Sequence, residues 1–270
     1  MSRKTRMKLG WEKYEKLESI FEYDDRERVL ATDEYPWCLI ACLDIKFPNG
    51  EVGIGTGWLI GKNKILTAGH CVYDTGKGGW AASITVIPGN DVENPYPGNK
   101  SDDAPYGKYE AVAMQTTNEW FERRSMTYDV AVIHIDYPIA DDLGNFGISI
   151  YDEDDDLIGQ HIRVAGYPMT HFPKDEETQG YYKKRVAGQM WTHSDKIINV
   201  QDGQVFYNLD TSGGQSGAPV MLLGADALGL VAMGIHNYGF NQTDRYHENK
   251  ASLITLEVWK YIEGWLAEQY

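Results

Sequence analysis

Ser216 stands in a glycine-rich stretch, and its surroundings could make its hydroxyl a nucleophile. The stretch, NLDTSGGQSGAPV at residues 208–220, places three glycines around this serine. Gly213 and Gly214 permit backbone angles that other residues avoid, so the N–H groups of Gly214 and Ser216 could converge as an oxyanion hole. A serine nucleophile also needs a base and a carboxylate that orients the base. Without those two partners the stretch is a plain turn.

Both missing partners are found upstream. ILTAGHC places His70 just after an apolar run, at a turn of small residues, where a rigid strand end could display a catalytic base. The alternative is a capping or core histidine. TYDVAVIHID places Asp129 directly before alternating apolar residues, where a buried carboxylate needs a partner such as an imidazole N–H. His134 is five positions further on, so we expect it on the opposite face in a structural role.

The chain order of these three residues separates two classes of hydrolase. The order here is His70, Asp129, Ser216, which is that of the double β-barrel serine proteases. The α/β-hydrolases run from serine to acid to histidine, and their nucleophile elbow needs a glycine where this chain has Ala218.

Short strands and one terminal helix are the elements that must position these residues. From Val29 onward, apolar and β-branched runs alternate with turn residues, as in WCLIACLDIKF, VGIGTGWLIG, HIRVAGYP and LGLVAMGIHNYG. This pattern is typical of all-β sandwiches and barrel pairs. TLEVWKYIEGWLAEQY predicts a C-terminal helix capped by Thr255 and packed on the β core through Val258, Ile262, Trp265 and Leu266. Residues 10–28 predict a short amphipathic helix followed by a charged linker.

Seven motifs, in order from about Val29 to the C-terminus, resemble the trypsin-fold serine endopeptidases. They are most similar to the bacterial glutamyl endopeptidases of the staphylococcal V8 and Bacillus type: TAGHCVYD, GGWAASITVIPG, YDVAVI, VAGYP, GQMW, DTSGGQSGAPV and GIHNYG. The resemblance implies two six-stranded antiparallel β-barrels with the active site between them. We therefore expect an N-terminal extension (1–28), a first barrel (29–140), a second barrel (141–254) and a C-terminal helix (255–270).

The resemblance also assigns roles. It implies that His70 is the general base, Asp129 its orienter and Ser216 the nucleophile, with Gly214 and Ser216 forming the oxyanion hole. Glutamate-specific relatives have a Ser or Thr five residues before the nucleophile and a histidine in the following strand. Thr211 and His236 occupy those positions here, with Ser212 and Asn237 as helpers. A hydroxyl and an imidazole can hold a desolvated carboxylate, so we expect cleavage after Glu and less readily after Asp.

Control of the activity is predicted to involve residues 1–28. In trypsin, an Asp just before the nucleophile captures the freed N-terminus, whereas this chain has Gln215 there. RERVLATDEYPW resembles the processing junction of the glutamyl endopeptidases, with cleavage between Arg28 and Val29. One hypothesis is that residues 1–28 hold the enzyme latent until an activating protease removes them. The opposing hypothesis makes them a permanent docking arm for a regulatory partner.

Composition and charge exclude some function classes. The net charge of −15 argues against a nucleic-acid partner, and no apolar run approaches the roughly 20 residues of a membrane span. Cys38 and Cys42 are too far apart on a strand for a disulfide, and the resemblance places Gly55 or Thr56 where relatives have the partner of Cys71. Unpaired cysteines and the missing signal peptide predict a cytoplasmic enzyme, or a secreted one whose signal peptide was removed.

Alternative functions remain open at this point. They are an intracellular effector protease of different specificity that a partner controls, an esterase or thioesterase, and a trypsin-like module that only binds. The expected partners are proteins or peptides with acidic residues. No motif requires a metal or cofactor: HENKA lacks the second histidine of a metalloprotease motif, and DEDDD lacks the glycine of a calcium loop.

Overall fold

The computed structural model describes residue 20 and residues 24–92, 104–152, 156–174, 183–224, 231–239 and 248–268. The helix predicted within residues 10–28 falls largely outside these ranges. The first described element is the short strand β1 (Glu27–Arg28), which pairs with a strand of the C-terminal half.

Six strands of the N-terminal half close into an antiparallel barrel. The strands of this half are β2 (Ile40–Lys46), β3 (Val52–Gly61), β4 (Lys64–Thr67), β5 (Tyr73–Asp74), β6 (Gly79–Trp80), β7 (Ser83–Pro88), β8 (Tyr109–Thr116) and β9 (Ala131–Ile135). The barrel order is β2-β3-β4-β9-β8-β7, and β5 and β6 form a separate ladder. Apolar side chains such as Leu43, Ile65 and Ile133 are fully buried, because a small barrel is filled by its own inward-facing residues.

The C-terminal half is a nine-stranded, largely antiparallel sheet. Its region contains β10 (Gly147–Ile148), β11 (His161–Gly166), β12 (Thr170–His171), β13 (Lys184–Arg185), β14 (Trp191–Lys196), β15 (Asn199–Gln201), β16 (Gln204–Tyr207), β17 (Pro219–Leu222), β18 (Val231–Tyr238) and β19 (Asn249–Leu253). The strand order is β1-β14-β11-β17-β18-β19-β16-β15, with β10 parallel to β18, while β12 and β13 pair separately.

The predicted all-β fold class is confirmed, and the second half is a half-barrel sheet. Within the described ranges, the two ends of its strand order do not pair with each other. Each edge instead receives an added strand: β1 covers β14, and β15 covers β16. These strands satisfy edge N–H and C=O groups that barrel closure would otherwise satisfy.

Within the described ranges, four helices connect or finish these sheets: α1 (Gly69–Val72), α2 (Asn118–Arg123), α3 (Ala140–Leu143) and α4 (Leu256–Ala267). Short 3-10 turns lie at Trp37–Leu39, Thr75–Lys77 and Met126–Tyr128. The predicted terminal helix is confirmed as α4. Its cap is Thr255, whose Oγ1 accepts the Val258 N–H at 3.3 Å. Its buried residues Val258, Ile262 and Trp265 belong to the core that fills the first barrel.

The cysteines form no disulfide bond. Cys38, Cys42 and Cys71 are all buried thiols, as the sequence predicted. Burial, followed by the charge of Asp44, raises the pKa of the Cys42 thiol well above its usual range. In the part of the chain described, no helix combines the length and apolarity needed to cross a membrane.

Candidate active site

His70 and Asp129 are brought together by neighbouring strands of the first barrel. Thr67 at the end of β4 pairs with Ala131 at the start of β9, so α1, which follows β4, lies beside Asp129, two residues before β9. The Asp129 Oδ2 lies 2.7 Å from His70 Nδ1, and its Oδ1 accepts the His70 backbone N–H at 2.7 Å. An ionised carboxylate can only accept, so Nδ1 carries the proton and Nε2 is left with its lone pair.

Asp129 is fully buried and its surroundings hold it in place. The Asn237 Nδ2 donates to the Asp129 backbone oxygen at 2.6 Å. Gly69 is required beside it, because an added Cβ would lie 2.7 Å from Asp129 Oδ1. The Tyr238 ring packs on His70 with 5.8 Å between centroids. Burial, and then the nearby Asp129 carboxylate, raises the pKa of Tyr238 well above its usual range.

Ser216 lies across a cleft from this pair. The cleft is lined by His70, Cys71 and Met169 together with Gly213, Gly214 and Ser216. Ser216 is 6% exposed, and its backbone oxygen accepts the Thr56 N–H at 2.9 Å. The structure therefore brings the three residues predicted as a triad to one place.

The loop before Ser216 takes a shape that only glycine allows. Gly214 has a φ of 105°, and an added Cβ would approach the Tyr167 oxygen to 2.3 Å. The Gly213 oxygen accepts the Met169 N–H at 2.6 Å. Since C=O and N–H point in opposite directions in a trans peptide, the Gly214 N–H points away from Met169.

A threonine of the first barrel fixes the other side of this loop. The Thr56 Oγ1 donates to the Gly214 oxygen at 2.8 Å and accepts the Tyr167 N–H at 3.0 Å. One buried hydroxyl thus connects β3, the nucleophile loop and the residue following β11. The sequence placed Thr56 only at a position where relatives have a cysteine, so this contact was missed.

Two of the four predicted pocket residues, Thr211 and His236, are fully buried. His236 lies in β18 and its Nδ1 is 2.6 Å from the Tyr207 hydroxyl. Thr211 is fully buried, and its Oγ1 has no hydrogen-bond partner among the described residues. An unpartnered buried hydroxyl is costly, so a ligand acceptor would stabilise it.

The two predicted helpers make other contacts. The Asn237 amide is engaged by Asp129 and by Ser252, whose N–H donates to its Oδ1 at 2.9 Å. The Ser212 Oγ donates to the Thr170 oxygen at 2.8 Å and accepts from Arg26 Nη1 at 2.9 Å. Asn237 therefore contacts the Asp129 backbone, and Ser212 contacts the N-terminal segment.

This fold and this site define a trypsin-like serine endopeptidase. The chain belongs to the Trypsin family, whose model matches residues 43–252. A glutamyl endopeptidase of Bacillus licheniformis is 29% identical over 252 residues, which is 92% of this chain and 69% of that protein. A Bacillus subtilis protein named extracellular metalloprotease is 28% identical over 248 residues, with the same coverages. The solved structure of a Glu endopeptidase in complex with MPD has a TM-score of 0.73 at 25% identity, covering 93% of this chain and all of that one.

Proposed function

We propose that the protein hydrolyses peptide bonds after glutamate, and less readily after aspartate, through Ser216, His70 and Asp129. The observation that carries the proposal is the cleft in which His70, oriented by two bonds to Asp129, faces the Ser216 loop. The Ser216 Oγ attacks the carbonyl carbon as its proton passes to His70 Nε2. His70 then gives that proton to the leaving amine, and water releases the acyl group by the same route.

The oxyanion of each tetrahedral intermediate needs donors that are already in place. We assign this role to the backbone N–H groups of Gly214 and Ser216. The positive φ of Gly214 and the bond from Thr56 to its carbonyl hold the loop in one conformation, which supports the assignment. A preorganised donor pair acts without reorganisation when charge develops.

Glutamate preference is assigned to Thr211 and His236. When the Tyr207 hydroxyl donates to His236 Nδ1, the ring proton resides on Nε2, which is the donor that a carboxylate requires. The Thr211 hydroxyl is buried without a partner among the described residues, so a substrate carboxylate would satisfy it. The names of the Bacillus licheniformis relative and of the solved structure agree with this preference.

The name of the Bacillus subtilis relative raises metal-dependent hydrolysis as an alternative. Among the described residues, one group could hold an ion: Asp25, His193 and Asp210. Two of its possible ligand atoms already accept backbone hydrogen bonds, because the Asp210 N–H donates to His193 Nδ1 and the Asp25 N–H donates to Asp210 Oδ2, both at 2.9 Å. The serine mechanism therefore stands as the proposal, and EDTA should leave the activity intact.

Two further predictions concern compartment and processing. Cytoplasmic localisation gains no support, since the Bacillus subtilis relative is named extracellular and favours the secreted alternative. Processing between Arg28 and Val29 stays a prediction, and so does a regulatory partner.

The test is cleavage of a peptide library by the wild type and by Ser216→Ala. Cleavage after Glu that is absent from the variant supports the proposal. Cleavage by both proteins, or a preference unrelated to acidic residues, would contradict it. His236→Leu should weaken the preference for Glu over Gln more than it slows hydrolysis of an uncharged ester. An unchanged preference would exclude His236 as the carboxylate reader.

A further inference from the structure

The Arg26 guanidinium is buried against the nucleophile loop, although the sequence placed this residue in a charged linker. Arg26 is 4% exposed. Its Nη1 donates to Ser212 Oγ at 2.9 Å and to Gln215 Oε1 at 2.8 Å, and its Nη2 donates to the Thr170 oxygen at 2.7 Å. Burying a guanidinium is costly unless its donors are satisfied, so this arrangement depends on all of these acceptors.

Asp24 supplies the counter-charge. Its Oδ1 accepts Arg26 Nε at 2.8 Å and its Oδ2 accepts Arg26 Nη2 at 2.6 Å, which is the paired geometry that favours arginine. The Asp24 Oδ2 also accepts the Phe172 N–H at 2.8 Å. Burial raises the pKa of Asp24, but the hydrogen bonds and charge of Arg26 outweigh this, and the net pKa is lowered. The pair is therefore ionised and attached to the β12 region.

Backbone bonds fix this segment to the second half of the molecule. Glu27 and Arg28 pair with Thr192 and Trp191 of β14. The Val29 N–H donates to the Met190 oxygen at 2.9 Å. Backbone pairing thus continues across the Arg28–Val29 bond, and residues 27–29 form one edge of the sheet directly after Arg26.

Gln215 is the link from Arg26 to the chemistry. It immediately precedes Ser216, is fully buried, and its Oε1 also accepts the Ser212 N–H at 3.1 Å. Arg26 therefore bonds to both ends of the segment from Ser212 to Gln215, which contains Gly213 and Gly214. The residue before the nucleophile, which in trypsin is an Asp that captures the freed N-terminus, is here Gln215, and it is held by the Arg26 guanidinium of the same chain.

We propose that Arg26 is a positioning residue that locks the oxyanion loop, and that residues 24–29 are a permanent part of the active enzyme. The inference rests on the proposed serine mechanism. It gives the enzyme a preformed oxyanion loop without proteolysis. Cleavage after Arg28 would cut the strand that carries Arg26 and would lower the activity, which is the reverse of release from latency.

The test compares full-length Arg26→Ala with Arg28→Ala. Arg28 is a matched control two residues further along the same segment, because its ion pair with Asp91 at 2.8 Å has side chains 26% and 23% exposed. We expect Arg26→Ala to lose about 10²-fold in kcat, the usual cost of a lost oxyanion donor. Labelling of Ser216 by a small uncharged fluorophosphonate should slow by a similar factor. Arg28→Ala should change kcat by less than about 5-fold, because its partly exposed ion pair does not contact the nucleophile loop.

Chemical rescue separates positioning from folding. Low-millimolar guanidinium chloride should restore part of the kcat of Arg26→Ala, whereas sodium chloride should not. Arg26→Lys keeps the charge but not the fork that reaches five acceptor atoms on four residues, so it should recover only part of the rate. Ser212→Ala removes one acceptor and leaves the Asp24 pair intact, so kcat should fall a few-fold with a Tm near that of the wild type. All rates are measured well below the Tm of each variant.

Several results would overturn the inference. They are an Arg26→Ala kcat equal to that of Arg28→Ala, a loss that guanidinium does not rescue and Ser212→Ala does not share, and purified active enzyme whose N-terminus is Val29. A wild type that neither cleaves peptides nor labels at Ser216 would instead refute the proposed serine mechanism, whatever Arg26 does.

Discussion

The two halves of the molecule differ in how they hold the proposed catalytic residues: His70 and Asp129 in the first half, and Ser216 in the second. The first barrel is closed, and it carries both His70 and Asp129 at the ends of paired strands. Two hydrogen bonds of 2.7 Å within this one barrel orient the base. From the second half, Asn237 Nδ2 adds a bond to the Asp129 backbone oxygen, and the Tyr238 ring packs on His70.

The second half offers Ser216 on a loop of an open sheet, and remote segments hold that loop. Thr56 comes from the first barrel, Arg26 from the N-terminal strand and Met169 from the turn after β11. A closed barrel fixes its strand ends through its own ladder, whereas a glycine-rich loop must be fixed by bonds made to it. The bonds between His70 and Asp129 are thus made within one barrel, whereas the loop of Ser216, the proposed oxyanion loop, is held by long-range contacts.

Removing the acid should have the largest effect, because the first barrel has no substitute for it. Asp129→Asn keeps the shape but can no longer orient the protonated Nδ1 of His70, so kcat should fall about 10⁴-fold. Asp136→Asn, an exposed position one residue beyond β9, is the control and should keep the wild-type rate. Steady-state kinetics on a Glu peptide checks both variants. A loss for Asp129→Asn of less than tenfold would contradict the triad.

Distorting the loop of the second half should cost less than removing the acid. Gly214→Ala places a Cβ 2.3 Å from the Tyr167 oxygen at a φ of 105°, so the loop must shift. We expect kcat to fall by about 10²- to 10³-fold, the range for an oxyanion donor. Gly144→Ala is the matched control, with a φ of 85° and no atom within 4 Å of the added Cβ. Equal losses for the two variants would mean that backbone strain alone explains the effect.

Features that depend on local sequence were predictable, whereas features that depend on contacts between distant parts of the chain were not. His70 follows an apolar run and Asp129 precedes one, so the local sequence pattern predicted that both residues lie at strand ends. Thr255 was visible as a helix cap for the same reason. The open second sheet was not, because β1 lies in a linker of charged residues, DDRER, that shows no strand alternation.

Contacts to the oxyanion loop were missed because sequence distance hides them. Arg26 is separated from Ser212 by 186 positions and from Gln215 by 189. Nothing in local periodicity tells a buried arginine from a solvated one. Asn237 was assigned to the pocket from its place beside His236. Neighbours on a strand point to opposite faces, so Asn237 lies at Asp129 while His236 lies at Tyr207.

Removing the Thr56 hydroxyl, which links the two halves, should reduce kcat by less than the changes above. Its effect on kcat can be separated from its effect on stability. Thr56→Val leaves the Gly214 oxygen and the Tyr167 N–H without this partner. We expect about a tenfold loss in kcat and a destabilisation of about 1–3 kcal/mol. Thr32→Val is the control, since its buried Oγ1 donates to the Gly89 oxygen at 2.6 Å, within the first half. Thr32→Val should lose similar stability in urea without loss of kcat. If kcat falls equally in both variants, Thr56 acts through stability alone.

The smallest effect on activity is expected within the first barrel, away from the cleft. His134 in β9 lies with its Nε2 3.0 Å from Gln115 Oε1 and is paired with Lys64. Burial and the Lys64 charge, against a weaker opposing effect of Glu268, lower the pKa of His134 to about 4. The unfolded chain, with a histidine pKa near 6.5, therefore binds the proton first as the pH falls.

The contribution of His134 to folding stability is consequently complete above about pH 6.5. It is lost as the pH falls toward 4, by up to about 3 kcal/mol. His134→Gln should lose less folding stability than the wild type as the pH falls, and it should keep the wild-type kcat at neutral pH. Urea unfolding at several pH values between 4 and 7 measures the difference, with the exposed His161→Gln as the control. Parallel stability curves for the wild type and His134→Gln would refute the assignment. A changed kcat would mean that the first barrel transmits strain to His70, and the self-contained character of that half would then be lost.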